Sequence, residues 1–153
     1  MYKIPISVLV VIYTADLQVL LLERADAPGL WQSVTGSQEI APHTEAPESL
    51  LETAIREVRE ETGLEATDYL LSNWQTCNRF EIFPRWRHRY APGTTHNSEH
   101  VFGLKLPHIS NVSLAAREHL NQIWLPFAEA ADTCFSWSNA AAIRRLPVIA
   151  GAT

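Results

Sequence analysis

At 153 residues the chain is the size of one ordinary domain and long enough to bury a substantial core. Its 46% apolar and 19% charged residues exclude a disordered chain, and 17 acidic against 12 basic residues, a formal net charge of −5, argue against a general nucleic-acid binder. Cys77 and Cys134 form no CxxC pair, which excludes a disulfide framework and suits reduced thiols in the cytoplasm, while the apolar run at 6–13 is too short to span a membrane and lacks the flanks of a signal peptide.

In chain order, the β-branched and apolar residues of 6–13 predict a buried strand. Asp16 and Gln18 mark a turn into a second strand over 19–24. The breakers of Asp26-Ala27-Pro28-Gly29 make a loop, and 31–35 predict a short strand leading to Gly36. A helix opens near Pro47, read as a first-turn position, and closes at Gly63, just past its end. Along it Leu51, Ala54, Ile55, Val58 and Thr62 recur at helical spacing as the packing stripe. Glu57, Glu60 and Glu61 lie to one side of that stripe. Further on, 74–83 and 101–106 have strand character and 122–125 is another candidate strand. Pro126 and Ser138 open short helices over 127–131 and 139–145. No repeat, linker or low-complexity tract divides the chain, so 1–153 reads as a single domain. Strands around a central acidic helix give an α/β or α+β fold.

The helix carries the chemistry. Residues 56–64 read Arg-Glu-Val-Arg-Glu-Glu-Thr-Gly-Leu, and Glu48 lies eight positions before Arg56. Spacings of three and four set Glu57, Glu60 and Glu61 on one face, where each close like-charge pair costs about 0.2–0.5 kcal/mol. A helix built only for stability would interleave lysines. Carboxylate clusters suit hard cations, and Mg²⁺ takes one or two of them while substrate phosphates complete its shell. The plain alternative is a solvated acidic face. Glu57 and Glu61, one turn apart, are the first choices for direct ligands, with Glu60 close behind and Arg56 orienting them by ion pairing. Glu118 is a candidate carboxylate outside the helix, for metal binding or general-base work; its neighbour His119 is an acid or base candidate that reads more simply as a packed or solvent-facing histidine. Lys3 and Arg24 flank the first two strands and can reach a phosphate from a strand end. The stretch 85–90 mixes cations and aromatics, a pattern also found in single-stranded nucleic-acid grooves. In so acidic a chain it reads better as a basic rim or a solvated loop.

The longer pattern, Glu48, Arg56-Glu57-Val58, Glu60-Glu61 and Gly63-Leu64, resembles the signature of the Nudix hydrolases, which cleave diphosphates linked to another moiety. It departs from that signature at one place. The family's opening Gly stands six residues before the first Glu; that position is Pro42, and the equivalent is Gly36, leaving about six extra residues before Glu48. A loop insertion of that size leaves the helix intact, since doubling a loop costs only about 0.6 kcal/mol. The resemblance implies a Nudix α/β/α sandwich with a mixed β-sheet and a central glutamate-bearing helix. It implies Mg²⁺ or Mn²⁺ held by Glu57, Glu61 and Glu118, with the Gly36 carbonyl often joining them.

Further stretches at 6–13, 31–37, 80–83, 87–93, 118–120 and 136–139 resemble the branch of the family that acts on 7,8-dihydroneopterin triphosphate. They imply release of pyrophosphate from that pterin in folate synthesis, with nucleoside triphosphates such as dATP as side substrates. Lys3, Arg24, Thr35, Phe80, Glu81, Ile82, Phe83 and Ser136 become the implied substrate contacts. The rivals are a broad nucleoside triphosphate pyrophosphatase and a catalytically dead Nudix-like binding module, and the retained glutamates weigh against the second.

Overall fold

A computed structural model describes residues 1–151. The central strand, β1 (Ile6–Thr14), runs parallel to β6 (His96–Leu106), with Ile6 opposite Ser98 and Thr14 opposite Leu106. On its other side β1 has two successive neighbours. Its end hairpins into β2 (Gln18–Arg24), with Tyr13 opposite Val19, and its first half pairs with β4 (Val34–Ser37), from Ser7–Ser37 to Val10–Val34. The short β3 (Trp31–Gln32) pairs with β2, so β1 and β2 splay apart around the β3–β4 segment. β5 (Leu70–Glu81) closes one edge against β6, and β7 (His119–Pro126) closes the other against β2. The result is a mixed seven-stranded sheet.

Strand alternation divides β1 between two cores. Val8, Val10 and Ile12 join Leu20, Leu22, Phe102, Leu104 and Leu106 beneath α1 (Leu50–Thr62). Leu9, Val11 and Tyr13 join Val19, Leu21 and Val101 beneath α2 (Phe127–Thr133), α3 (Trp137–Arg144) and α4 (Leu146–Gly151). Each fully buried aliphatic side chain stabilises the fold by about 1.5–3 kcal/mol. Helices cover both faces, so the α/β/α layering implied by the resemblance is present. No helix among the described residues is long and apolar enough to cross a membrane.

α1 begins later than Pro47. Ser49 is its N-cap, accepting from the Glu52 amide while Glu52 accepts from the Ser49 amide, a reciprocal box that fixes the start. Gly63 ends it at φ +75°. Ala54, Val58 and Thr62 are buried as expected, but Leu51 is 52% exposed, and Leu50 packs against the core in its place. The stripe therefore starts one residue earlier, because the cap sets the helical phase.

The strands are longer than their apolar stretches. β5 begins at Leu70, ahead of the polar Ser72 and Asn73, β6 begins at His96 through polar residues, and β5 ends at Glu81 rather than Phe83. A bulge between Asn73 and Thr76, with Gln75 at φ +57°, interrupts the β5 alternation. The two short helices lie at Phe127–Thr133 and Trp137–Arg144; Ser136, not Ser138, caps the second.

The residues inserted between Gly36 and Glu48 close on themselves. Glu48 N–H donates to the Glu39 carbonyl at 2.8 Å, Ala41 N–H donates to the Ala46 carbonyl at 2.7 Å, and Ile40 bridges Pro47. The excursion leaves the sheet after Ser37 and returns to Glu39 just before α1 begins.

Candidate active site

α1 crosses β4 at Gly36, in close approach to the side chain of Glu57. A Cβ built on Gly36 would stand 2.0 Å from the Glu57 carboxyl carbon. Space rather than dihedral angle demands glycine here, since Gly36 is not among the positive-φ residues. One turn further, Glu61 is 1% exposed, and neither of its carboxylate oxygens has a hydrogen-bond partner. Glu118 reaches the same point from the turn before β7, and ligand atoms of Glu61, Glu118 and His119 lie within 4.8 Å of one another. Glu60 sits at the rim, its side chain 49% exposed and bound to Arg56 at 3.1 Å. Glu57 and Glu61 thus hold the buried positions, and Glu60 the outer one.

Burial pushes the Glu61 carboxyl well above its ordinary value, reinforced by the neighbouring charges of Glu57 and Glu118 and opposed only weakly by the Thr35 backbone. Glu57 is raised as well, chiefly by burial, with Arg56 pulling it back. His119 is 4% exposed, and burial followed by the Arg24 charge brings it down to about 4, so it is neutral at pH 7. Its Nε2 lies 3.3 Å from Glu61 Oε1, but the two are not aligned as a hydrogen bond. His119 is thus packed rather than solvent-facing.

Arg56 holds the helix to the loop before it. It grips Glu48 with two bonds, at 2.7 and 2.8 Å, and donates to Glu57 at 2.8 Å and to the Ser37 carbonyl at 2.9 Å. Glu48 also accepts from the Glu39 amide and the Thr53 hydroxyl, and its pKa is lowered, first by Arg56. Neither Glu48 nor Arg56 lines the cleft. Their part is to set the angle at which Glu57 and Glu61 enter it.

The cleft itself is open, about 900 Å³, and spans both faces of the splayed sheet. Lys3, Arg24, Thr35, Phe80, Ile82, Phe83 and Ser136 all line it. Glu81 does not: alternation turns it to the far side, where it pairs with Arg87. Arg24 is bound to Asp26 at 2.7 and 2.8 Å and stacks on Trp86 at 4.4 Å, so its charge is already partly met. Lys3 is pinned through its backbone to Arg89, and burial followed by the Arg89 charge lowers its pKa. Of the 85–90 stretch, Trp86, Arg89 and Tyr90 line the cleft, so this segment is a rim.

Several lining residues escaped the sequence reading: Ser7, Gln32, Asn97, Glu99, Arg117, Phe135 and Asn139. Asn97 and Glu99 did carry a signal. They stand in phase with Val101 at two-residue spacing, so once 96–106 is one strand they must share its buried face.

The donor set can be tested against a metal. Carboxylate oxygens of Glu61 and Glu118 converge with a ring nitrogen of the neutral His119, and Glu61, the most buried of them, has no hydrogen-bond partner. A hard divalent cation fits the Glu61 and Glu118 carboxylates, with Glu57 beside Glu61, and would supply the counter-charge that Glu61 lacks.

Residues 3–146 match the family pattern described as NUDIX domain. The chain belongs to the Nudix family. Dihydroneopterin triphosphate diphosphatase of Escherichia coli (strain K12) is 44% identical over 96% of this chain and 95% of that protein. The protein of the same name from Haemophilus influenzae is 40% identical, covering 94% of this chain and 88% of that one. A structure of the E. coli dihydroneopterin triphosphate pyrophosphohydrolase matches with a TM-score of 0.86 at 43% identity, over 97% of this chain and 98% of that chain. This Nudix chain is accordingly an enzyme of the hydrolase type, in a family that uses divalent metal ions and acts on small phosphorylated molecules. Its departure from the family signature is confined to the loop after Gly36, which Glu39 and Glu48 clamp shut.

Proposed function

We propose that residues 1–153 act as one Nudix domain that hydrolyses 7,8-dihydroneopterin triphosphate to dihydroneopterin monophosphate and pyrophosphate, a step of folate synthesis in the cytoplasm. Nucleoside triphosphates such as dATP are side substrates. The observation that carries this reading is the 44% identity, across 96% of the chain, to a relative bearing that activity as its name. The buried and unpartnered Glu61 carboxylate supports it independently, and the two free cysteines suit a reducing compartment.

In this reading Glu57, Glu61 and Glu118 hold Mg²⁺, or Mn²⁺, with Glu60 at the margin and the Gly36 carbonyl as a further oxygen. Such an ion lowers the pKa of bound water and neutralises charge on phosphoryl oxygens. Arg56 keeps Glu57 and Glu60 in place. Lys3 and Arg24 meet the phosphates, Thr35 and Ser136 contribute hydroxyls, and Phe80, Ile82 and Phe83 pack against the ring. Glu81 drops out of the contact set because it faces away. In the net reaction a water oxygen bonds to the α-phosphorus and the α–β bridging bond breaks. The bridging oxygen departs with pyrophosphate.

Turnover of dihydroneopterin triphosphate with Mg²⁺ against dATP, GTP and 8-oxo-dGTP tests this directly. Pyrophosphate released with pterin preference is the expected result. Equal or better rates on the nucleotides would move the chain to the broad pyrophosphatases.

A further inference from the structure

Asn97 and Glu99 are 4% and 5% exposed and point to the same face of β6. Asn97 Nδ2 donates to Ser7 Oγ at 2.7 Å, yet Asn97 Oδ1 and Glu99 Oε1 have no hydrogen-bond partner. Buried polar groups are nearly always satisfied, so two orphaned acceptors on one strand face need a reason. Both line the cleft. The sheet register places Ser7 beside Glu99 and Phe80 beside Asn97. Phe80, Ile82 and Phe135 give this part of the cleft aromatic and apolar walls.

We infer that Glu99, assisted by Asn97, is the specificity-determining group of this enzyme, accepting hydrogen bonds from a 2-amino-4-oxo pyrimidine edge, the edge that pterins share with guanine. The inference rests on the proposed function for the identity of the substrate class. Its chemistry comes from this part of the cleft, where Asn97 Oδ1 and Glu99 Oε1 are acceptors without a partner. The 2-amino-4-oxo edge presents a ring N–H beside an exocyclic amino group, two donors that suit acceptors on one strand face. Adenine presents a ring acceptor beside its amino group, which sets acceptor against acceptor. A flat ring also suits walls of Phe80 and Phe135.

Glu99 has its carboxylate held in place by Ser138 and Asn78, which leave Oε1 unpartnered. It lies on the sheet face of the second core, whereas Glu57 and Glu61 come from the helix over the first. Burial pushes its carboxyl up to about 7, with Ser138 and Asn78 pulling it back only in part. A donor-rich edge would favour the ionised form and strengthen the contact.

The test is the binding of neopterin, guanosine and adenosine, none of which carries phosphate, to the wild type and to Glu99→Gln by fluorescence or calorimetry. Glu99→Gln keeps the size of the side chain and replaces one acceptor with a donor; melting no lower than wild type certifies its fold. The expected result is tighter binding of neopterin and guanosine than adenosine by the wild type, with the first two weakened roughly ten- to hundred-fold in the variant and adenosine not weakened. In turnover, the kcat/KM ratio of pterin triphosphate to dATP is expected to fall at least ten-fold. Unchanged neopterin binding in Glu99→Gln, equal loss for all three ligands, or no wild-type preference over adenosine overturns the inference. A wild type that binds neopterin through Glu99 but releases no pyrophosphate would sink the proposed activity and leave the recognition standing.

Discussion

Gly36→Ala isolates the closest approach in the site. In a strand with ordinary dihedral angles, Gly→Ala alone stabilises by about 0.4–1 kcal/mol through the unfolded chain. Here the new methyl would stand 2.0 Å from Glu57 Cδ, against a comfortable carbon–carbon separation of about 3.5–4.0 Å. The carboxylate must retreat by about 1.5 Å, and overpacking of this kind costs about 1–3 kcal/mol. The clash therefore outweighs the entropic gain, and the melting temperature is expected to fall by roughly 2–8 °C. A misplacement of about 1 Å near a reacting centre lowers turnover by about 10²-fold, so kcat is expected to fall at least that far. Thermal melting and steady-state turnover, run on Gly36→Ala alone and in a Glu57→Ala background, separate the two effects. With Glu57 truncated the stability penalty of Gly36→Ala should vanish, because the clashing atoms are gone. A full penalty in both backgrounds, or turnover within a few-fold of wild type, would refute the assignment of Gly36 as the seat of Glu57.

Glu61→Gln is expected to lower turnover by at least about 10²-fold while the metal-free protein melts at or above wild type, since the change removes a buried charge facing Glu57 and Glu118; loss of the fold would count against the metal assignment. Mg²⁺ should raise the wild-type melting temperature and leave that of Glu61→Gln unmoved. Arg56→Ala strands Glu48 at 10% exposure and is expected to cost about 3 kcal/mol, read as a shift in the urea midpoint; a shift under about 1 kcal/mol would show that the loop holds without it. Glu99 carries a pH signature. Its folded pKa of about 7 lies above its ordinary 4.5, so its contribution to stability is whole below 4.5 and falls as pH rises towards 7, by about 3 kcal/mol at most. Glu99→Gln should flatten the pH dependence of urea stability across that window, and an unchanged slope would place the titration elsewhere.

The glutamate face was legible because it is local. Helical spacing alone set Glu57, Glu60 and Glu61 together, and the signature residues from Glu48 to Leu64 named the chemistry. What spacing could not give was rank, and burial supplied it: α1 drops Glu61 into the sheet and leaves Glu60 at the rim. The second wall of the cleft was hidden for a different reason. Asn97 and Glu99 are polar residues on a buried strand face, and β6 is recognisable from its apolar end only, so nothing in the sequence marks its polar half as strand. Glu81 went the other way. It belongs to a segment that reaches the cleft, but strand alternation sends neighbours to opposite sides, and resemblance carried over the segment without its phase. Leu51 was misplaced by one residue because the Ser49–Glu52 box, rather than Pro47, starts the helix.

β1 has a consequence for how such an enzyme can change. Its even-numbered residues pack under the helix that bears Glu57 and Glu61, and its odd-numbered residues, Ser7 and Leu9, look into the compartment of Asn97 and Glu99. One strand backbone partitions hydrolysis from recognition, with side chains of each kind on opposite sides of the sheet. Substitutions on the two sides enter separate cores, so their effects on stability should add, within about 0.5 kcal/mol. A lineage can then exchange one heterocycle for another on the odd side while its phosphate chemistry stays intact on the even side.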